Sequence, residues 1–119
     1  MSRTIAIASL AVLLVAATLE AHHSYASFDR EHPVSVEGDV ETLLFANPHV
    51  VVGLRTNDGS YKVEWGPLNQ MMRWNITKDT LHVGDHLIVT AAPTHDPADR
   101  RLSLVTAIRR PADGWHWSR

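Results

Sequence analysis

Val34-Ser35-Val36-Glu37-Gly38-Asp39-Val40-Glu41 is the stretch on which the fold turns. Val34, Val36, Gly38 and Val40 alternate with Ser35, Glu37, Asp39 and Glu41, which is the period of a half-buried strand. The strand runs on through Leu43, Leu44 and Phe45 until Asn47-Pro48 breaks it. Gly38 inside it predicts a bulge or a sharp bend, as small barrels need at their corners. Upstream, residues 22–33 read as a polar, irregular N-terminal arm. The arm ends at Pro33, which has no N–H to give to a ladder.

Downstream the same period recurs. His49 to Thr56 and Ser60 to Trp65 read as second and third strands. Asn57-Asp58-Gly59 joins them, a turn whose residues accept positive φ. Tyr61, Val63 and Trp65 share one face of the third strand, with Lys62 and Glu64 on the other. Gly66-Pro67 stops it, and Pro67 opens a short helix with Leu68, Met71 and Met72 on one side. Leu81 to Asp85 is a turn into a fourth strand, His86 to Ala92. After a loop, Arg101 to Arg109 is a fifth, with Leu102, Leu104 and Ile108 on one face. Trp115 and Trp117 belong to no clear element; they cap the barrel or offer a partner a docking tail. Five strands with one helix between the third and fourth is the element order of an OB-like barrel spanning residues 34–119. An open β-sandwich or half-barrel that dimerises along an edge is the alternative.

The start of the chain has a different character. Arg3 precedes an uncharged run from Ile5 to Leu19. The run suits a signal peptide and is shorter than the ~20 apolar residues that span a bilayer. Leu19-Glu20-Ala21 makes a cleavage triplet, so residues 1–21 are expected to be removed and the protein to be periplasmic or secreted. An uncleaved segment would instead hold the domain at the membrane. The net charge of -2 survives cleavage, since Arg3 and Glu20 cancel. A mildly acidic chain without a basic run has no electrostatic footprint for nucleic acid. With no cysteine, thiolate chemistry, zinc-thiolate sites and redox dithiols are excluded, and stability has to come from packing, a metal or self-association.

The eight histidines are the chemical lead. Cleavage after Ala21 makes His22 the N-terminus, where the α-amine and the imidazole of one residue form a bidentate chelate. A further imidazole completes a three-nitrogen histidine brace, which suits the tetragonal preference of copper(II). At neutral pH both donor types offer lone pairs without a large proton penalty, the amine having a pKa of roughly 7.7–8.0. Three sources of that imidazole stand open. His23 is adjacent, although an amine–amide–imidazole arrangement through it leaves His22 outside the chelate. His49 follows Asn47-Pro48 at the head of the second strand, a rigid place for a ligand. His82 and His86 straddle Gly84 and lack helical spacing. The expected metal ligands are therefore His22 and His49, with His23 as third ligand or neighbour.

Trp65, Met71, Met72 and Trp74 form a second constellation. Thioethers beside an indole suit copper(I), yet adjacent helical residues do not face the same way. The cluster therefore reads as packing of the helix on the barrel mouth. No catalytic triad spacing, phosphate loop or HExxH occurs. The carboxylates from Asp29 to Glu64, and the pairs Arg100-Arg101 and Arg109-Arg110, read as solvated.

The chain resembles an uncharacterised domain-of-unknown-function family of small exported bacterial proteins. The likeness rests on Ala21-His22-His23-Ser24, Phe28-Asp29, Gly38-Asp39-Val40, Asn47-Pro48-His49, Trp65, Arg73 and Val83-Gly84-Asp85. It implies no activity, but it falls on His22, His23 and His49. Where such proteins show a glycine-tryptophan step after the helix, this chain has Trp74-Asn75. The expected function is a small exported copper(II)-binding protein with a chaperone or storage role. The alternative is a metal-free interaction module docking on another envelope protein. Membrane contact is expected only through the signal peptide.

Overall fold

The structure, a computed structural model, describes residues 25–119. The expected leader 1–21 and the expected ligands His22 and His23 lie outside the described residues. The elements are β1 (Val34–Leu44), β2 (Val51–Thr56), β3 (Gly59–Glu64), α1 (Leu68–Arg73), β4 (His86–Pro93), β5 (Arg101–Arg110) and β6 (Trp115–Ser118). β1 pairs antiparallel with β4 through its first half and with β2 through its second, and β2 pairs with β3 across the Asn57–Gly59 turn. β4 pairs antiparallel with β5. A short parallel seam, Lys62 with Arg101 and Val63 with Leu102, joins β3 to β5. The ring β1-β2-β3-β5-β4 is thereby closed, and the five-stranded OB-like barrel with a helix between β3 and β4 is the fold.

Four expectations are corrected. The first bulge is at Glu41, between Val40 and Thr42, and not at Gly38. One extra residue flips the inward phase of a strand. Gly38 and Val40 therefore point in, and beyond the bulge Leu43 and Phe45 face the core while Leu44 is exposed. Gly38 serves close approach: a Cβ there would collide with the carbonyl oxygen of Arg55. On β5 a second irregularity puts two residues of β4 opposite a longer stretch of β5, where Thr90 pairs with Ala107 and Ala92 with Ser103. Leu104 takes a left-handed φ of 52° and is only half-buried. The core face becomes Leu102, Val105 and Ile108.

Met72 does not share the buried side of α1: Met71 is fully buried and Met72 is 75% exposed. Finally, Trp115 and Trp117 are not a loose end. They lie on β6, which pairs with the second half of β5. Trp117 is buried against Trp65 and Trp74, with ring centroids 5.2 and 4.7 Å away.

These three indoles, Met71, Ile76 and Leu81 join the barrel core and close the end covered by α1. The edge-on Trp65–Trp117 pair adds about 0.5–1.5 kcal/mol beyond the area it buries. The helix stops in a Schellman motif, with Asn75 N–H donating to Met72 O and Ile76 N–H to Met71 O. Asn75 holds the required left-handed φ of 57°. Among the described residues no helix is long and apolar enough to cross a membrane.

Candidate functional site

His49 stands just before β2, half-buried, between two fixed neighbours. Behind it, the cis Asn47–Pro48 bond turns the chain. Asn47 Oδ1 accepts from Leu68 N–H at 3.0 Å. Pro67, at the helix N-cap, has no side chain to do this, so a residue from the β1–β2 loop satisfies one of the first-turn donors. Ahead of it, Val50 N–H donates to Gly66 O at 2.7 Å and Trp65 N–H to Val50 O at 2.9 Å. The backbone of His49 is thus bracketed against the β3–α1 junction.

The beginning of the described chain reaches the same junction. Phe28 is buried and bridges Thr94, Asp29 N–H donates to Pro93 O, and His95 N–H donates to Ser27 O. Arg101 lies over the Phe28 ring, 5.6 Å from its centre. So anchored, the arm places Tyr25 in the wall of a cavity of about 310 Å³ that Gly66 and Pro67 also line. Gly66 is the residue whose carbonyl holds Val50.

The other described histidines are differently engaged. His86 is gripped at both ring nitrogens, Nδ1 by Asp39 at 2.7 Å and Nε2 by Glu37 at 2.8 Å. The hydrogen bond to Glu37, then that to Asp39, raises its pKa above the ordinary histidine value. Neither nitrogen is left for a metal. His32 Nδ1 meets the Asp29 carboxylate at 2.9 Å, which lowers the Asp29 pKa. His82, His95 and His116 are exposed. No three His, Asp or Glu side chains converge as a metal site among the described residues.

Some functional-looking residues prove architectural, and sequence reading missed their roles. Arg110, expected to be solvated, is only 16% exposed and joins Asp85, Asp113 and the carbonyl of Thr80. Asp85 also accepts from His82 N–H, while Gly84 N–H donates to Val40 O with Gly84 at φ 95°. The Gly-Asp turn thus ties β4 to the β1 bulge and to the β5–β6 turn. Its signal in the sequence was the pair Arg110 and Asp113 at hydrogen-bonding distance along a turn. Arg101 is likewise paired, bidentate with Asp99.

A model described as a family of unknown function (DUF6152) matches residues 9–102, which is most of the chain. The chain belongs to that family. A comparison with curated proteins returns no match. Within this DUF6152 chain, most residues that carried the resemblance have work in the fold. Phe28 anchors the arm, Gly38 permits close strand approach, Asn47 satisfies the helix, Trp65 packs on Trp117, and Gly84-Asp85 makes the turn. His49 is half-buried just before β2 and belongs to no cluster of metal-ligating side chains among the described residues.

Proposed function

We propose that this DUF6152 protein is exported, loses residues 1–21, and binds copper(II) through the His22 α-amine, the His22 imidazole and the His49 imidazole. His23 is the third ligand or the neighbour of the site, and the protein stores or hands on the ion. The observation that carries this reading is the rigid placement of His49 beside the junction that Tyr25 also reaches. His22 precedes Tyr25 by three residues, and three extended residues span about 10 Å. In this reading that short tether brings the new N-terminus to the β3–α1 junction, against which the backbone next to His49 is bonded. The donor set is all nitrogen, which matches copper(II) in its tetragonal preference.

The decisive experiment titrates copper(II) into the chain beginning at His22 and, beside it, into the same chain with one extra N-terminal alanine. The native terminus is expected to bind tightly with an all-nitrogen electron paramagnetic resonance signature. The extra alanine and His49→Ala should each weaken binding by at least about two orders of magnitude, because each removes a ligand. His49→Ala should leave the melting temperature of the metal-free protein unchanged. Equal affinity in all three chains overturns the reading and favours a metal-free interaction module.

A further inference from the structure

The sheet face turned away from the core on β1, β4, β5 and β6 carries its charges in order. Directly paired residues of an antiparallel ladder share a face, so the register builds rows across the four strands. One row reads Glu37, Ile88, Arg109, His116, and the next reads Ser35, Thr90, Ala107, Ser118. Both rows face outward, because Leu87, Val89 and Ile108, which alternate with them, are buried.

Sign is segregated across this face. Glu37 and Asp39 stand on the β1 side with their side chains mostly exposed. His86 between them offsets at most one of their two charges. Arg109 stands on the β5 side, is exposed, and meets no carboxylate at ion-pair distance among the described residues. The middle carries no charge. Ile88, Thr90 and Ala107 are half-buried there, and the hydroxyls of Thr90 and Ser35 bond to each other at 2.8 Å.

The spacing makes the face complementary to itself. Neighbouring strands lie about 4.8 Å apart, so Glu37 and Arg109 flank Ile88 one strand away on either side. A two-fold axis lying along β4 above Ile88 turns a second copy over onto the first. It sets Ile88 on Ile88, and Glu37 of each copy against Arg109 of the other. Stacked sheets sit about 10 Å apart, a gap that a glutamate and an arginine bridge when they reach towards each other. Aligned strands are an ordinary way for two sheets to stack.

We propose that this face is the contact between two copies of the chain, an isologous dimer in which Glu37 and Arg109 pair twice around an Ile88 centre. The patch spans only four short strands, so the dimer belongs to the weak, transient class. A partner of uniform charge meets its own sign on half of the face and is disfavoured. The dimer is independent of copper: none of these residues is a proposed metal ligand.

The test uses the chain from His22 onward with a chelator present, so that no metal bridges two copies. Sedimentation velocity is expected to show a weight-average coefficient that rises with protein concentration and falls back in high salt. Arg109→Glu and Glu37→Lys, both exposed changes, each set like charges against one another and should weaken self-association at least about tenfold. Mixed in equal amounts, the two variants meet with opposite charges at both contacts, and association should return towards the parent level. In that mixture the amide shifts of an isotope-labelled Arg109→Glu chain should centre on Ile88, Thr90 and Ala107. Should either reversal fail to fold, Arg109→Gln and Glu37→Gln replace the pair and should abolish the salt dependence. A parent chain that stays monomeric at every concentration overturns the proposal. So do variants that associate as the parent does, a mixture no more associated than its parts, or salt dependence that persists in the glutamine variants.

Discussion

At the scale of single residues, Asn75 shows how a side chain can be tolerated without being ideal. The Schellman motif after α1 needs a left-handed residue, and Asn75 supplies it at φ 57°. Asparagine adopts that region more readily than other non-glycine residues, but glycine does so without steric cost. Asn75→Gly should therefore hold or raise stability by up to about 1 kcal/mol, while Asn75→Val should lose about 1–2 kcal/mol. Urea unfolding of the two variants beside the parent chain measures both. The sequence marked His49 as a candidate because it follows Asn47-Pro48 at the head of a strand, and the structure puts it just before β2. The task of Asn47 was not legible there, because its partner Leu68 N–H lies in a different element.

At the scale of elements, β1 and β4 are stitched on the outer face by Glu37, His86 and Asp39. His86 stands opposite Asp39 in the ladder, with Glu37 two residues earlier on the same face. Arg55, across the other edge from Asp39, is engaged by Glu41. The raised pKa of His86 fixes the sign of the pH effect. Its contribution is complete below the ordinary histidine value of about 6.5 and is lost as pH rises through the folded-state value. The melting temperature should thus decline as pH rises above the ordinary histidine value, and in His86→Gln that decline should flatten. Calorimetry from slightly acidic to slightly alkaline pH checks it, and an unchanged slope in His86→Gln would assign the decline to other groups. Period-two alternation located all five barrel strands. What it missed were the phase changes at Glu41 and Leu104, because a bulge depends on which partner strand sits opposite. β6 was missed for a related reason: Trp115–Ser118 is too short to show a period and becomes a strand only against β5.

At the scale of the whole molecule, the arm is held to the barrel at a few points. Phe28 is its anchor, buried beside Thr94 and under the Arg101 guanidinium, which Asp99 holds in place. Phe28→Ala should cost about 3–5 kcal/mol where the site cannot collapse. Amide exchange should quicken first at Asp29 and His95, the donors that tie arm to barrel. Under the copper reading the same change lowers metal affinity, because a tether released from its anchor no longer starts from the β3–α1 junction. Exchange rates at Asp29 and His95 that match the parent chain would show that Phe28 does not hold the arm.

The seam between β3 and β5 sets an order of events. It joins only Lys62 with Arg101 and Val63 with Leu102, and its second strand comes late in the chain. Until Arg101 is available the ring cannot shut, and the free edges of β3 and β4 stay open to any other strand. A polypeptide emerging N-terminus first therefore remains an unfinished sheet for most of its emergence. Its last twenty or so residues, few as they are, decide whether it ends as a sealed vessel or as a sticky ribbon.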